Sequence, residues 1–322
     1  MQRKRDGLVP IAEALADLPG PLQAFRKSQP PAQRGFTRFD QVDQLVGASE
    51  ADSDLGFMAR LMALCSLPRT NPGNRKEYVR RNGPYTLGMS AGINNRLPYG
   101  NLPRLLLAWV STEAVRTQNR VLLLGDSVSE FMRKLDIYST SGRKYSRLRE
   151  QMQRLFNAHV QLIYEAEHSQ ATVNALIARR TELWWNPKRP DERTLWKSKI
   201  ELSEDFFNEI IQHPVPLDMN TLKALKRSSL GLDWYLWLTY RTFTLTRPLR
   251  LSWTRLYQQF GAVPSRAGEK LVVNDFRKDC LRELKKIKTA WPELNYATAK
   301  GVLIVSPTSP KISSTRQLHL GE

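Results

Sequence analysis

One order of elements is legible twice in this chain: helix, strand, helix, helix, β-hairpin. The first pass runs through "NLPRLLLAWVSTEAVRT", "NRVLLLGD", "DSVSEFMRKLDI", "GRKYSRLREQMQRLFNA" and "HVQLIYEAEHSQATVNALIARRTELWW". The second runs through "SLGLDWYLWLTYRTFT", "PLRLSW", "WTRLYQQFG", "KLVVNDFRKDCLRELKKIKTAW" and "LNYATAKGVLIVSP". A shift of 128 residues sets Leu102 on Leu230, Trp109 on Trp237 and Val115 on Phe243. After a three-residue gap Phe131 falls on Leu256 and Leu135 on Phe260. Back at the first shift, Leu148 falls on Phe276, Met152 on Cys280 and Phe156 on Leu284. No single match is persuasive; the shared order is, because it places apolar residues at the same helical positions twice. In both copies that order fits a winged-helix domain, a helix-turn-helix variant.

The expected fold is therefore α+β and helix-rich, with two tandem winged-helix (helix-turn-helix) domains and an N-terminal helical, partly flexible extension. The boundaries are 1–70 for the extension, 71–212 and 213–306 for the two domains, and 307–322 for a flexible tail. Within the extension, helices are expected near Leu8–Leu18 and over "SDLGFMARLMALCSLP", with Ser53 as cap and Pro68 after the end. "KEYVRRNGPYTLGMSAG" reads as extended chain on either side of an Asn82-Gly83 turn. "WWNPKRPDERTLWKS" reads as a loop or insertion and "KIELS" as a short strand.

"SLGLDWYLWLTYRTFT" could be a membrane insertion, an exposed platform for bases, or a core helix. Asp233 and Arg241 interrupt it, and it is too short to span a bilayer. Its place in the repeat, equivalent to the helix of Trp109, favours the core, with Tyr235 or Tyr240 left at the surface.

Charge narrows the partner. Lys and Arg number 49 against 31 Asp and Glu, a formal net charge of +18. Such an excess fits an anionic partner, nucleic acid before an anionic membrane, because no amphipathic anchor or lipidation signal is present. No signal peptide or spanning segment is read. Cys65 and Cys280 are too few for a disulfide framework or a cysteine-rich zinc site, and they fit a reducing cytoplasm.

The third helix of each unit carries that charge. At about 100° per residue, Leu148, Met152, Leu155 and Phe156 gather on one side of the first such helix. Arg143, Arg147 and Arg154 are expected on the other, with Lys144 on the flank. In the second unit Val273, Phe276, Cys280, Leu284 and Ile287 form the apolar stripe. Lys278, Arg282, Lys285 and Lys286 face outward, with Asn274 and Arg277 at the sides. A helix in the major groove needs this division: Arg bonds guanine edges bidentately, Asn pairs with adenine, and Lys neutralises phosphate. A good bidentate pair contributes about 1–3 kcal/mol of base discrimination. The alternative is a solvated face on an ordinary helix, which two basic helices at equivalent repeat positions weigh against. Arg179, Arg180 and Lys300, on the expected wings, fit phosphate or minor-groove contacts and equally fit plain solvated residues.

Other chemistry lacks its residues. No phosphate-binding G-x-x-x-x-G-K-[ST] loop occurs. His159, His168, His213 and His319 have no paired ligand spacing, so no metal is expected. "GDSVSE" is not a nucleophile elbow. Glu201, Glu204 and Asp205 sit where a helix start explains them. A rolling-circle nicking enzyme would need a His-hydrophobe-His pair, which is missing. No enzymatic activity and no cofactor are expected.

"YVRRNGPYTLGMSAG…RLPYGNLPRLLLAWVSTEAVRT…RVLLLGDSVSEFMRKLDI…REQMQRLF", continued by "LDWYLWLTYR…LSWTRLYQQFG", resembles the RepA-type plasmid replication initiators of bacterial plasmids, from about residue 76 to 306. The resemblance implies a cytoplasmic bacterial protein that binds double-stranded repeats (iterons) in a plasmid origin. It implies opening of an adjacent A·T-rich segment, recruitment of the host replication initiator and replicative helicase, and repression of the protein's own promoter. It also implies a homodimer through the first winged-helix domain. No membrane partner is expected. The alternative is a tandem winged-helix transcriptional regulator without a replication role; a third reading is an interaction protein whose basic faces meet acidic partners.

Overall fold

The computed structural model describes residues 55–308 except 84, 93–95, 139–141, 167–168, 187, 195–196, 213 and 263–271. The expected helix near Leu8–Leu18 and the tail beyond Thr308 lie outside the described residues.

The chain enters through β1 (Leu55–Ala59), α1 (Arg60–Leu64) and the hairpin β2 (Glu77–Asn82) and β3 (Tyr85–Ser90). Next come α2 (Asn101–Thr117), β4 (Val121–Gly125), α3 (Val128–Lys134) and α4 (Gly142–Phe156). A second hairpin, β5 (His159–Ala166) and β6 (Ser169–Leu176), leads into β7 (Ala178–Glu182) and β8 (Ser198–Leu202). Then follow α5 (Glu204–Gln212), β9 (Pro214–Asp218), α6 (Met219–Leu225) and α7 (Ser229–Thr244). The chain closes with β10 (Leu249–Ser252), α8 (Trp253–Phe260), α9 (Val273–Ala290), β11 (Tyr296–Ala299) and β12 (Val302–Val305). Helix outweighs strand, and both kinds of element line a common core.

The repetition holds for three helices and one sheet of each unit. Helices α2, α3 and α4 have counterparts in α7, α8 and α9. The strand orders match too: β4–β8–β7 in the first unit and β10–β12–β11 in the second. Local chemistry repeats at the strand-to-helix junction. Ser127 Oγ accepts from Glu130 N, and Ser252 Oγ accepts from Arg255 N, so each second helix starts on a serine that satisfies an orphan N–H. The paired apolar positions Phe131/Leu256, Leu135/Phe260, Leu148/Phe276, Met152/Cys280 and Phe156/Leu284 are all buried. Trp109 meets Phe131 edge-on at 4.9 Å; Trp237 meets Phe260 edge-on at 5.8 Å. In both units the first helix thus drives an indole against the helix that precedes the basic one.

Helix α7 is the core expected of "SLGLDWYLWLTYRTFT". Ser228 caps it by accepting from Gly231 N, and Leu230 to Leu238 are buried. Trp234 stacks on Phe260 at 5.0 Å and donates its indole N–H to Cys280 Sγ. Neither Tyr235 nor Tyr240 is left at the surface: they are 1% and 5% exposed, correcting that expectation. Asp233, the charge that interrupts the stretch, is buried against Arg104 of α2. Nε and Nη2 of Arg104 donate to its two carboxylate oxygens, both at 2.7 Å. This ion pair joins the first helices of the two units at the centre of the molecule.

Two expectations about local structure change. "LGFMA" is strand, not the start of a helix, and α1 is only a short continuation of it. All five β1 residues are buried, because α2 covers the strand and β9 pairs with it antiparallel. Thr112 Oγ1 accepts from Phe57 N and Ser111 Oγ from Ala59 N, so α2 satisfies donors that β9 does not. A Cβ on Gly56 would stand 2.2 Å from Met219 Sδ, so the Met219 side chain packs directly over the glycine. Residues 55–67 therefore belong to the core rather than to a loose extension.

The second change concerns the first wing. The β5–β6 hairpin exists where alternation placed it, but β5 pairs with β3, giving a separate four-stranded sheet β2–β3–β5–β6. The hairpin that closes the first unit is β7–β8. Its connection is the stretch 183–197, and "KIELS", read as an isolated strand, is its return arm.

Candidate nucleic-acid interface

The basic helices are set by their apolar sides. Leu148, Met152, Leu155 and Phe156 anchor α4; Phe276, Cys280, Leu284 and Ile287 anchor α9. The Cys280 thiol is part of that packing, and burial pushes it up to about 12. Fully burying such side chains contributes roughly 1.5–3 kcal/mol apiece, enough to fix which face meets solvent.

On α4, Arg143, Lys144 and Arg147 are exposed as expected and make no hydrogen bond or ion pair among the described residues. No acidic residue occurs between Gly142 and Arg149, so this end of the helix is uniformly cationic. Arg154 corrects the expectation. It is buried, donates through Nη1 to Leu97 O at 3.1 Å, pairs with Glu150, and lies over the Tyr99 ring at 5.3 Å. The segment before α2 covers the flank where Arg154 emerges, which the periodicity of α4 alone does not reveal.

On α9, Asn274, Arg277, Lys278, Arg282, Lys285 and Lys286 are all exposed. Here the cations are interleaved with acids. Lys278 pairs with Asp275 at 3.2 Å, Arg282 with Asp279 at 2.7 Å and Lys286 with Glu283 at 3.0 Å. The exposed pairs, Lys278–Asp275 and Arg282–Asp279, contribute only about 0.2–0.5 kcal/mol each, so they hold those side chains loosely, whereas Glu283 is buried. Arg277 lies over the Trp253 ring at 5.8 Å, which orients its guanidinium. Lys285 has no side-chain partner among the described residues.

The expected wing residues occupy hairpins. Arg179 and Arg180 are exposed on β7, 3.7 Å from Glu201 and 3.9 Å from Glu182 respectively. Lys300 is exposed at the two-residue turn between β11 and β12, where Gly301 has φ +75°.

Sequence reasoning missed the stretch 183–197. Lys188, Arg189, Arg193 and Lys197 are exposed on it, and Trp184 is 52% exposed. It is not a free loop. Ser129 N donates to Pro190 O and Thr194 N to Asp126 O, both at 3.1 Å, and Trp185 packs on Phe131. The density of cations in "NPKRPDER" was the available signal. Among the described residues no helix is long and apolar enough to cross a membrane, and no cluster of His, Cys, Asp and Glu is placed to hold a metal ion.

No curated protein matches the sequence. Two crystal structures resemble the fold. One, of selenomethionine derivatives of domains 2 and 3 of RctB, is 13% identical with a TM-score of 0.49, covering 79% of this chain and 96% of that one. The other, also of RctB domains 2–3, is 12% identical with a TM-score of 0.45, covering 76% and 96%. A family model described as "Plasmid encoded RepA protein" matches residues 97–255. That span begins just before α2, takes in α4 and the whole β4–β8–β7 sheet, and ends inside α8, short of α9. Over that span the chain is similar to the family of plasmid-encoded RepA proteins.

Proposed function

We propose that the protein is a plasmid replication initiator that reads double-stranded DNA with two winged-helix domains, within about 71–212 and 213–306. Helices α4 and α9 enter successive major grooves, and the β7–β8 and β11–β12 hairpins act as wings along the backbone. The observation that carries this reading is the repetition of one design. In each unit the same helix turns an apolar face to the core and a cationic face to solvent, in a chain similar to the RepA family and with net charge +18.

Arg143, Lys144 and Arg147, with Asn274, Arg277, Lys278, Arg282, Lys285 and Lys286, supply base and phosphate contacts. Arg179, Arg180 and Lys300, joined by Lys188, Arg189 and Arg193, supply phosphate contacts beside them. Arg154 is withdrawn from the set. Two linked modules bind far more tightly than either alone, because the second engages at high effective concentration. Repeated sites at a plasmid origin, opening of neighbouring A·T-rich DNA, recruitment of the host initiator and helicase, a dimer through the first domain and autorepression complete the proposal. The role is one of binding and remodelling rather than enzymatic.

The test is duplex binding against salt, using sites selected from a random library. A sequence preference and a steep fall in affinity with salt are expected, since each phosphate neutralised contributes about 0.9 to the slope. Binding without sequence preference or salt dependence overturns the reading. A plasmid-maintenance assay separates the initiator from a transcriptional regulator, which would bind DNA yet fail to sustain replication.

A further inference from the structure

The C-terminal end of α8 is held from outside its own unit. A helix leaves its last carbonyls without intrahelical donors. In α8 the run Gln258, Gln259, Phe260, Gly261 is served by side chains that lie before α2 in sequence. Arg80 Nη1 donates to Gln258 O and Nη2 to Gly261 O, both at 2.8 Å. Ser66 Oγ donates to Gln259 O at 2.9 Å, and Arg69 Nη1 to Phe260 O at 3.2 Å. Arg80 is fixed in turn: its Nε donates to Tyr78 Oη at 2.7 Å, and that hydroxyl donates to Ser66 O at 3.0 Å. The first unit is held reciprocally. Lys226 Nζ, from the turn between α6 and α7, donates to Asp136 O at 2.8 Å and to Asp136 Oδ2 at 2.5 Å. Asp136 closes α3 in the left-handed region, at φ +53°.

Helices α3 and α8 are the elements that lead into the basic helices α4 and α9. An apolar contact lets one unit roll against another, whereas a planar guanidinium bonded to two carbonyls fixes rotation as well as distance. The positive charge also suits a helix C-terminus, so nothing in the arrangement favours release.

We propose that Arg80, supported by Ser66 and Arg69, together with Lys226, sets the spacing at which the protein accepts its two half-sites. These are positioning residues: they touch no DNA and act by fixing α9 relative to α4. The inference rests on the duplex-reading assignment above.

The test uses the full chain and a duplex that it selects from a random library. Base pairs are added between the two half-sites up to half a helical turn, about 5 bp. Affinities are measured for the wild type, Arg80→Met and Lys226→Met, on the spaced duplexes and on each half-site alone. The wild type should lose about tenfold or more in affinity away from the optimal spacing, the scale of the avidity that linkage provides. The variants should bind single half-sites within about twofold of wild type while their spacing penalty falls to about threefold or less, affinity that no longer depends on register. A purely structural role would weaken binding to all duplexes alike and leave the penalty intact, which overturns the proposal. So does a wild type indifferent to spacing. A wild type without sequence-selective duplex binding overturns the DNA reading itself. The Lys226–Asp136 pair is partly exposed, so Lys226→Met keeps the test decisive if Arg80→Met does not fold.

Discussion

The two units keep the same buried positions and spend their polar surface differently. In the first, Arg143, Lys144 and Arg147 of α4 have no acidic partners among the described residues, and the long β7–β8 connection folds back onto α3. An extra hairpin, β5–β6, leaves the unit after α4 to build a sheet with β2 and β3. In the second, the closing hairpin is a tight turn, and three of the cations of α9, Lys278, Arg282 and Lys286, pair with an acid one turn away. A duplicated core tolerates this because burial constrains only one face of each helix, leaving the other face free to diverge. Among the described residues the start of α4 offers cations without acidic partners, whereas α9 offers cations interleaved with acids.

The joint between the units is where the comparison breaks most severely. Arg104→Ala strands the Asp233 carboxylate in the core and should cost about 3–5 kcal/mol in urea unfolding. The double variant Arg104→Met, Asp233→Leu should recover most of it. A loss below about 1 kcal/mol would mean that the central pair does not join the units. Next come the equivalent indoles. Trp109→Ala and Trp237→Ala should each cost about 3–5 kcal/mol, as large aromatic truncations do. Trp237 should be the costlier, because it packs on both Trp234 and Phe260; equal losses would remove that asymmetry.

Smaller effects sharpen the difference in surface charge. Arg147→Ala should weaken selected-duplex binding by about tenfold, within the 1–3 kcal/mol of a bidentate base contact. Asp279→Ala, by removing the closer of the two acidic partners of Arg282, should strengthen binding by about twofold to threefold, the scale of one exposed ion pair. An unchanged affinity in either case would show that these helices do not meet DNA as assigned. The smallest effect concerns the cysteines. Burial pushes both Cys65 and Cys280 up to about 12, so both stay thiols at pH 8. Neither should react with a thiol reagent until the chain unfolds, and rapid labelling of one would show that its side of the core opens.

The sequence disclosed what depends on local periodicity. Both basic helices, the helices before them and the aromatic helix α7 follow from apolar spacing and the repeated order of elements. It disclosed less where tertiary context decides. The alternation in "HVQLIYEA" and "QATVNAL" is a cleaner hairpin signal than β7 and β8, whose arms are short and lie on either side of 183–197. Nothing in the alternation says which sheet a hairpin joins. "LGFMA" is apolar on both faces, so its period does not separate strand from helix. Arg154 lies on the outward side of α4 by angle, and only the approach of Leu97 and Tyr99 buries it. The grip of Ser66, Arg69 and Arg80 on α8 spans nearly two hundred residues, beyond any local pattern.

The central claim is that α4 and α9 read one duplex at two neighbouring places. Protection of guanine N7 from methylation, mapped along a selected site, tests it most directly. Two protected major-groove patches about 10–10.5 bp apart are expected, with Arg147→Ala losing one and Arg282→Ala the other. A single patch, or two that each variant loses together, would contradict it.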